Sequence, residues 1–535
     1  MSYLKCLLIL LIGFSTITLY AQEENFLRGR VYESTSNTPI VYATVRIKGK
    51  AKGVITNMDG GFRLPKKLYQ MGDTIQVSSM GYQLTNFPIS KLSPSEINIL
   101  RLPTTLFSLD EAVVSAKRKK RLTARQILKR AIDNITLNYP MFSFSTKGYY
   151  REYQVDSIGY INLNEAFVEV FDMGFHKIDT ISTKISMYDY VRNTDFPRDT
   201  VSDNSYNYEK GTKVIDKAYL SAYGGNEFAI LRIHNAIRNY KLSSYDFINS
   251  LAEGDVIKNH SIERKLDTYA DEERLFAIHL KKKFPGYTAS GMFYISQQDY
   301  AIHKIHYSLY DDYKRNSDKE LRDKGIIGSL IFEVNTEYRR GRNDKMYLNF
   351  NAFRNTFQLA LPPKFIVDSL QIMDQNKIMV YFNNDLGKES KADDLKNYKF
   401  SYRGEIIKPT NVKVYTDRCL LEVKASAKLW NNLTRELNTR TNKRVSAADV
   451  FLVQIEDILD NEGNILNEYV FKDYTQFREF FTQEIGAVSR IPVDSLLMDM
   501  RRPIFDNQPV NRPDNYKSYW MNTPFKPLEE NSLKK

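Results

Sequence analysis

Two short histidine motifs are the first candidates for chemistry. His260-Ser-Ile-Glu263 has the spacing of a zinc-peptidase tetrad, in which two ligands and a distant third surround a metal with an open position. His303-Lys-Ile-His306 repeats that spacing. Both motifs lie where alternating polar and apolar residues predict strands, and residues i and i+3 of a strand point to opposite faces. We therefore expect neither pair to hold one metal ion.

The carboxylates and the cysteine give no better candidate. Glu165 and Glu169 would share a site only on a helix, and the alternation around them predicts a strand. Cys419 lies in a predicted strand with Leu421 and Val423, which indicates a buried thiol and not a nucleophile. The sequence has no Gly-x-Ser-x-Gly elbow, no phosphate-binding loop and no dinucleotide fingerprint. We predict no catalytic residue, no cofactor and no metal ligand.

The stretch GVITNMDGGFRL, residues 53–64, raises a second metal question. Asn57 and Asp59 offer oxygen atoms for calcium, but an EF-hand loop needs about five ligands at alternating positions and a distal glutamate. Those ligands are missing. Asn, Asp and Gly suit a tight turn, and Gly accepts a positive φ. We interpret the stretch as the turn of a hairpin.

Composition and charge indicate a globular protein with several domains. The chain has 535 residues, of which 42% are apolar and 26% are charged. The formal net charge is +12, but the basic residues are interspersed with 64 acidic ones. The dense basic run KRKKR, residues 117–121, has no interleaved aromatics, so we interpret it as a solvated hinge and predict no nucleic-acid binding. The alternative for this run is contact with an anionic envelope surface.

The first 21 residues predict export. A short positive segment, MSYLK, precedes the apolar run CLLILLIGFSTITLY, which is too short for a comfortable membrane span. Ala21 offers a small residue at the cleavage site, so Gln22 would begin the mature chain, and the alternative is an uncleaved anchor. No cysteine stands directly after the apolar run, which argues against a lipoprotein anchor. The mature chain keeps only Cys419, so no internal disulfide is expected.

Residues 27–103 alternate with period two, the pattern of short strands. Three blocks in order, GRVYESTSNTPIVYATVRIKG, GVITNMDGGFRL and GDTIQVSSMGY, resemble the carboxypeptidase-regulatory-like domain. That domain is a transthyretin-like sandwich, common at the front of exported Gram-negative envelope proteins. The following SLDEAVVSA (108–116) is similar to the segment that joins such a domain to the plug of TonB-dependent receptors. The resemblance implies no peptidase activity, because the domain is an accessory to peptidases in some proteins and stands alone in others.

The middle of the chain predicts a helix followed by long strands. TARQILKRAIDNITLNY, residues 123–139, is the clearest helix, with Thr123 as its cap, and a second helical stretch is expected at 228–240. The strands around them predict a curved antiparallel sheet or half-barrel. GMFYISQQDYAIHKIHY is loosely similar to lipoprotein-carrier sheets, whose concave face holds acyl chains. That resemblance implies a hydrophobic-ligand cradle within residues 140–360.

The last part of the chain predicts another sandwich and then a tail. FLVQIEDILDNEGNIL (451–466) resembles the final hairpin of bacterial Ig-like sandwiches, with Asp-x-x-Gly-Asn at residues 460–464. The tail from residue 474 contains six prolines and is expected to extend over other domains. Trp520 and Phe525 are its expected anchors.

The sequence thus predicts a mainly β protein with an N-terminal transthyretin-like β-sandwich, a central α+β domain with a curved antiparallel sheet, and a C-terminal Ig-like sandwich. The predicted segments are a signal peptide (1–21), the carboxypeptidase-regulatory-like sandwich (22–103), a basic linker (104–122), the central sheet domain (123–361), the Ig-like sandwich (362–473) and an extended proline-containing tail (474–535).

The predicted function is a non-enzymatic cell-envelope protein of binding or scaffolding type. We expect it in the periplasm or associated with the outer membrane, with envelope proteins or outer-membrane components as partners and a hydrophobic ligand on the central sheet. The alternative is a peptidase-like envelope hydrolase with an unrecognised site.

Overall fold

The computed structural model describes residues 26–49, 53–105, 122–156, 159–203, 225–238, 256–270, 273–315, 328–341, 343–373, 376–440 and 451–525. The predicted signal peptide and the basic run 117–121 lie outside these ranges. The chain divides into two compact units. The first is formed by Met1–Phe357 and Asp473–Lys535, and the second by Gln358–Lys472.

Seven short strands form the N-terminal module within residues 26–105: β1 (Phe26–Glu33), β2 (Thr44–Ile47), β3 (Gly53–Ile55), β4 (Gly61–Pro65), β5 (Thr74–Ser78), β6 (Thr85–Pro88) and β7 (Ile97–Leu102). They make two sheets, ordered β4–β1–β7 and β3–β2–β5–β6. The period-two pattern explains the sandwich, because alternate residues such as Val45, Ile47 and Val77 are buried in one core.

The turn at residues 57–61 is present, but it does not close a hairpin. The Asn57 amide donates to the Gly61 carbonyl over 2.8 Å, and Gly60 has a φ of +75°, which favours glycine. β3 pairs with β2, and β4 pairs with β1, so the turn carries the chain from one sheet to the other. The hairpin prediction is wrong because turn chemistry specifies a chain reversal and not the strands that pair.

The central part of the first unit contributes short helices. These are α1 (Ala124–Asp133), α2 (Ile135–Asn138), α3 (Asp179–Ser182), α4 (Glu227–Ile233) and α5 (Val256–Asn259). Thr123 and Gln126 form a reciprocal capping box that starts α1, and the predicted helix over 123–139 breaks at Asn134. Among the described residues, no helix is both long and apolar enough to span a membrane.

Ten strands alternate with these helices in the first unit, and the last of them leads into the second. They are β8 (Phe144–Val155), β9 (Tyr160–Asp172), β10 (Lys184–Arg192), β11 (Ser261–Arg264), β12 (Thr268–Ala270), β13 (Glu273–Phe284), β14 (Tyr287–Ser296), β15 (Ile302–Arg315), β16 (Gly328–Arg340) and β17 (Met346–Leu361). Their alternating patterns are those of long antiparallel strands, as the sequence predicts.

The second unit contains six strands and one helix. They are β18 (Val367–Met373), β19 (Lys377–Phe382), β20 (Tyr398–Tyr402), β21 (Glu405–Val414), β22 (Arg418–Lys424), α6 (Ala427–Arg440) and β23 (Phe451–Ile455). The strand order is β18–β19–β22–β21–β20–β23. β21 pairs with β20 through its first residues and with β22 through the rest, so one strand joins the two halves of the sheet. Trp430 and Leu433 of α6 are buried in this unit's core.

The final strand, β24 (Val470–Gly486), lies in the middle of the central sheet. The sheet has eleven strands, of which ten run in the order β10–β9–β8–β24–β17–β16–β15–β14–β13–β11, and β12 pairs with β13. The sequence predicts an extended tail from residue 474, and this prediction is wrong for residues up to 486. The reason is that β24 is covered on both faces and carries charged and aromatic residues on each, so it lacks the simple alternation of a half-buried strand.

The two faces of the central sheet are covered by different elements. Phe480 and Phe481 are consecutive residues of β24 and therefore point to opposite faces. Phe480 packs against Phe228 of α4, with ring centroids 5.3 Å apart, whereas Phe481 packs towards Tyr42 of the N-terminal module at 6.3 Å. The helices thus cover one face and the module covers the other. The mainly β fold class is confirmed.

Candidate functional site

The N-terminal module packs against the central sheet through aromatic rings. The Tyr42 ring lies 4.8 Å from that of Phe350, and Ile55 belongs to the same buried cluster as Tyr149 and Phe167. Tyr42 has a φ of +58°, a left-handed conformation that costs a bulky residue about 1–2 kcal/mol. The contacts of its ring and hydroxyl offset that cost, so we interpret Tyr42 as the residue that fixes the module on the sheet.

Beneath these rings lies a buried ion pair between Arg151 on β8 and Glu479 on β24. The two residues are opposite each other in the strand register, and neither side chain is exposed. The Tyr42 hydroxyl donates to Glu479 over 2.8 Å, and the Asn57 side-chain oxygen accepts from Arg151 over 2.6 Å. A buried pair needs its remaining hydrogen-bonding groups satisfied if it is to be stabilising. The module supplies those partners.

The C-terminal segment 516–525 closes the same interface. The Asn522 side chain donates to the Ile55 carbonyl over 2.8 Å and accepts from the Arg63 amide over 3.0 Å. The Asn522 carbonyl accepts from Arg151 over 3.0 Å. One asparagine of the tail therefore contacts both the module and the buried ion pair.

The two aromatic residues expected to anchor the tail are both buried. Trp520 belongs to the core of the module. Phe525 lies under the guanidinium groups of Arg30 and Arg63, which are 5.5 and 5.4 Å from its ring centroid. The end of the described chain is thus fixed by packing and by cation–π contacts.

A cleft of about 1460 Å³ opens between the module and one end of the central sheet. The module lines it with β2, the end of β5 and the segment before β6, and the sheet lines it with the ends of β16 and β24 and the starts of β8, β13 and β17. Exposed rings of Phe142 and Tyr269 stand beside amide groups such as Asn349 and Gln483. The charged residues among the described lining are balanced: Arg46, Arg339, Arg340, Glu273, Glu337 and Glu484.

One wall of the cleft carries ionisable groups from separate parts of the chain. Arg340 holds the two carboxylate oxygens of Glu273 at 2.8 and 3.1 Å and reaches Asp299 at 2.9 Å. His303 Nε2 lies 3.2 Å from Glu273 Oε2. Burial opposes ionisation of Glu273, but hydrogen bonds from His303 and Arg340 hold its pKa well below the usual range.

A second cluster on the neighbouring strands repeats this arrangement. Glu333 lies 3.0 Å from His306 Nε2 and 3.1 Å from Arg354 Nη2. Burial opposes ionisation of Glu333, and the charges of Arg354 and His306 lower its pKa well below the usual range. A general acid or base needs a pKa near the working pH. Carboxylates held so firmly in the ionised form are suited to fixing structure or contacting a ligand, and poorly suited to proton transfer.

The two histidine motifs do not form metal sites. His260 is buried with Nε2 2.9 Å from the Tyr307 hydroxyl, whereas Glu263 is exposed on β11. His303 and His306 contact glutamates on different strands, as opposite orientations require. Within the described ranges, no three His, Cys, Asp or Glu side chains are grouped so as to hold a metal ion.

The other residues considered for chemistry also lie apart. Glu165 accepts hydrogen bonds from Tyr149 over 2.5 Å and from Thr523 over 2.8 Å, whereas Glu169 has different donors. Both stand on strand β9, as the alternation predicts. Burial raises the pKa of Cys419 to about 11, so its thiol stays protonated and is a poor nucleophile.

The carboxylates of Asp59 and Asp460, in the two turns rich in Asn and Asp, contact other groups of the protein. Asp59 lies 3.1 Å from Arg30, and its other carboxylate oxygen accepts a backbone amide. Asp460 accepts from the side chains of Asn384 and Asn464, each over 2.8 Å, and from two backbone amides. Both carboxylates therefore contact groups of the protein and hold their turns.

Sequence reasoning missed Glu152, a buried carboxyl on β8. Tyr150 donates to it over 2.7 Å and Asn164 over 2.9 Å, on the face of the sheet covered by α4. Burial, reinforced by the nearby Glu227, raises its pKa to about 7. In the sequence Glu152 is one polar residue of an alternating strand, so no local signal distinguishes it.

A family is recognisable in the N-terminal module. Residues 27–114 match the model of the CarboxypepD_reg-like domain. The module is a CarboxypepD_reg-like domain. The family resemblance of the three sequence blocks is thereby confirmed, and at this coarse level the chain is an envelope-type protein that carries such a domain.

A curated relative shares the CarboxypepD_reg-like domain. The chain is 36% identical over 111 residues to the TonB-dependent receptor SusC of Bacteroides thetaiotaomicron. The aligned part is 21% of this chain and 10% of the relative, so the chain covers only about a tenth of that protein's length. The likeness therefore concerns one domain.

Solved structures give weak likenesses. The LolA superfamily protein NE2245 from Nitrosomonas europaea aligns with 44% of this chain and 86% of its own, at 11% identity and a TM-score of 0.19. A DUF1329 family protein from Desulfovibrio piger aligns with 43% of this chain and 85% of its own, at 7% identity and a TM-score of 0.20.

Proposed function

We propose that this chain is a non-enzymatic protein of the cell envelope that binds a ligand in the cleft between the CarboxypepD_reg-like domain and the central sheet. The cleft itself carries the proposal, because its volume of about 1460 Å³ exceeds the roughly 300–1,000 Å³ of ordinary small-molecule sites. Its two walls are held together by the buried contacts of Arg151, Glu479 and Tyr42. Such a fixed cleft suits an extended ligand.

The lining indicates an amphipathic ligand. Phe142 and Tyr269 present apolar surface. The side-chain oxygen of Gln483 has no hydrogen-bond partner among the described residues and offers an acceptor, whereas the amide nitrogens of Asn349 and Gln483 already donate to Glu337 and Trp520. The ionised glutamate in the wall, Glu273, is already neutralised by its neighbours. A ligand with an apolar face and uncharged hydrogen-bonding groups matches these side chains.

The hydrophobic part of the ligand belongs in this cleft and not on the helix-covered face. That face is filled, within the described residues, by the protein's own side chains. The Tyr150 and Phe228 ring centroids are 4.7 Å apart, and Phe228 and Phe480 pack at 5.3 Å. These contacts occupy the space that an acyl chain would need. We therefore place the hydrophobic-ligand site, which the sequence predicts within residues 140–360, on the face of the sheet that the helices do not cover.

Binding without turnover is supported by the titration behaviour of the cleft. Glu273 has a strongly lowered pKa, so it is a weak base, and Arg340 remains protonated at any physiological pH. Cys419 belongs to the second unit and is buried. The envelope location is supported by the predicted signal peptide and by the domain shared with SusC.

Titration with N-phenyl-1-naphthylamine, an uncharged fluorescent probe with apolar rings and one N–H donor, tests this proposal. The Phe142→Ser/Tyr269→Ser variant should bind the probe at least about tenfold more weakly than the parent protein, because it loses the two exposed rings of the cleft. The matched control is Tyr313→Ser, which removes a ring that is 79% exposed and lies outside the cleft. Equal binding by the parent and the double variant would show that the probe does not bind in the cleft and would contradict the proposal.

An envelope hydrolase is the second candidate, and one contact favours it. His303 and Glu273 stand 3.2 Å apart in the cleft wall, within the distance that an acid–base pair requires. Assays with chromogenic ester and peptide substrates would decide between the two functions. We expect no turnover above the buffer rate. Turnover by the parent protein that disappears in His303→Gln would show a hydrolase and would contradict the binding proposal.

A further inference from the structure

The strand order of the central sheet brings three loops to one rim. In the order β10–β9–β8–β24, the start of β10, the end of β9, the start of β8 and the end of β24 are neighbours. The loops 134–143, 173–183 and 487–497 therefore emerge at the same edge. The pairs that fix this arrangement are Lys184 with Phe171, Phe144 with Asp172, and Gly486 with Ser145.

These loops expose aliphatic side chains. We define the apolar rim as Leu137, Ile178, Ile181, Ile491, Val493 and Leu496. Ile178, Ile181 and Val493 are 66%, 75% and 63% exposed. Soluble proteins scatter single exposed aliphatics, but a group of six at one rim marks an interaction surface.

The apolar rim stands on an anchored backbone. The Phe175 amide donates to the Pro140 carbonyl over 2.9 Å, which joins two of the loops. The Met498 amide donates to the Ile185 carbonyl over 2.8 Å, which attaches the third. The aliphatic side chains are therefore exposed on loops whose backbone is held by hydrogen bonds.

The short helix α3 explains why its isoleucines face outward. Asp179 of this helix is buried and forms ion pairs with Arg232 and Arg238. Because this side chain turns inward, the flanking Ile178 and Ile181 are left on the outer surface. A buried ion pair therefore holds two isoleucines in water, which is unfavourable unless another surface covers them.

Cations surround the apolar rim. Lys177, Lys184 and Arg490 belong to the same loops or border them, and Lys345 donates to the Leu137 carbonyl over 2.5 Å. Two exposed acids lie near these four cations: Asp494, 3.6 Å from Lys184, and Asp344, 3.7 Å from Arg340. The rim therefore carries an excess of positive charge, in keeping with the chain's net charge of +12.

We propose that this rim docks on a membrane surface that contains anionic lipids. The aliphatic side chains enter the boundary between headgroups and acyl chains, and Lys177 and Arg490 contact the headgroups. Apolar side chains bordered by cations are the composition that binds an anionic interface. The docking is peripheral, and it stands independently of any ligand in the cleft.

Co-sedimentation with vesicles tests the docking. The chain from Gln22 onwards is mixed with vesicles of phosphatidylethanolamine and phosphatidylglycerol, or with vesicles of phosphatidylcholine alone. We expect binding to the anionic vesicles that weakens with salt and is far weaker on the neutral ones. Failure to bind the anionic vesicles, or equal binding to both kinds, would overturn the proposal.

Two variants and a matched control locate the contact. Ile178→Ser/Ile181→Ser/Val493→Ser should lower the partition coefficient at least about tenfold, because three aliphatic side chains no longer leave water. Lys177→Gln/Arg490→Gln should reduce the dependence on salt. Ile406→Ser removes an isoleucine that is 83% exposed on the second unit and should bind as the parent does.

The binding of the triple variant is compared with that of the control Ile406→Ser. Unchanged binding of the triple variant, or an equal loss in Ile406→Ser, would contradict docking through the rim. Circular dichroism and thermal unfolding confirm that each variant is folded. If the triple variant unfolds, the Lys177→Gln/Arg490→Gln variant carries the test, because its substitutions are on exposed polar side chains.

Discussion

Arg151 and Glu479 face each other across two neighbouring strands of the central sheet, and neither side chain has exposed surface. They are 328 positions apart in the chain. Tyr42 and Asn57 of the CarboxypepD_reg-like domain and Asn522 of the tail complete their hydrogen bonds. One buried contact therefore joins three distant parts of the sequence and fixes one wall of the cleft against the other.

Breaking this pair should destabilise the first unit strongly. Arg151→Met leaves Glu479 buried without its cation, which typically costs about 3–5 kcal/mol in the free energy of unfolding. Arg151→Met/Glu479→Leu, which removes both charges, should lose much less. Urea unfolding measures both values. Lys147→Met, which breaks the partly exposed pair with Glu484, is the control and should cost less than about 1 kcal/mol. A double variant as unstable as the single one would contradict this account.

Tyr42→Phe should weaken the attachment of the CarboxypepD_reg-like domain. The substitution keeps the ring and removes the hydroxyl that donates to Glu479 over 2.8 Å, so we expect a loss of about 1–3 kcal/mol from a buried charged acceptor. Tyr32→Phe, a half-buried tyrosine of the same domain outside the interface, is the matched control. Calorimetry should show a lower unfolding temperature for the first variant alone. Equal temperatures in the two variants would show that the hydroxyl contributes nothing.

The stability of the protein should fall as pH rises from about 4.5 to 7 because of Glu152. Its pKa is raised to about 7, from 4.5 in the unfolded chain, so the folded state binds the proton more tightly. The contribution is complete below about pH 4.5 and is lost as pH rises through the folded-state pKa. Glu273 and Glu333, whose pKa values are lowered, lose their contributions only under more acidic conditions and do not act in this window.

Glu152→Gln provides the corresponding measurement. The amide is neutral at every pH, so the variant should match the parent near pH 4 and exceed it by about 3 kcal/mol near pH 8. Urea unfolding at the two pH values gives the difference. Histidine titration is common to both proteins and cancels in the comparison. A parent and a variant with the same pH dependence would contradict a neutral Glu152.

Cys419 should resist thiol reagents in the folded protein. It is buried, and burial raises its pKa to about 11, so the thiolate is scarce at pH 8. In a chain that begins at Gln22 and therefore lacks Cys6, a colorimetric disulfide reagent should label the native protein very slowly and should label one thiol after addition of urea. Rapid labelling without denaturant would show an accessible, reactive cysteine.

Local sequence patterns predict the elements whose contacts are local. The period-two alternation of Val45, Ile47 and Val77 identifies the strands of the CarboxypepD_reg-like domain, and Thr123 marks the start of α1. The geometric objection to His260 and Glu263 as metal ligands also rests on local spacing. These features depend on neighbours within a few residues, so they can be read from the chain itself.

The cleft and the buried pair could not be predicted in this way. β24 pairs with β8 across more than 300 positions, and neither strand carries a signal for its partner. Tyr42 looks like an ordinary strand residue, although its hydroxyl reaches Glu479. Glu273, His303 and Arg340 come from three strands or loops, so their contact exists only in the folded sheet.

We propose that the cleft holds a ligand and leaves it chemically unchanged. Native mass spectrometry of the protein, purified without detergent from its own cells, tests this proposal. We predict a small-molecule adduct that is recovered with unaltered mass after prolonged incubation and that is absent from Phe142→Ser/Tyr269→Ser but present in Tyr313→Ser. An adduct that persists in the cleft variant, or one that is converted to a product during incubation, would contradict the account.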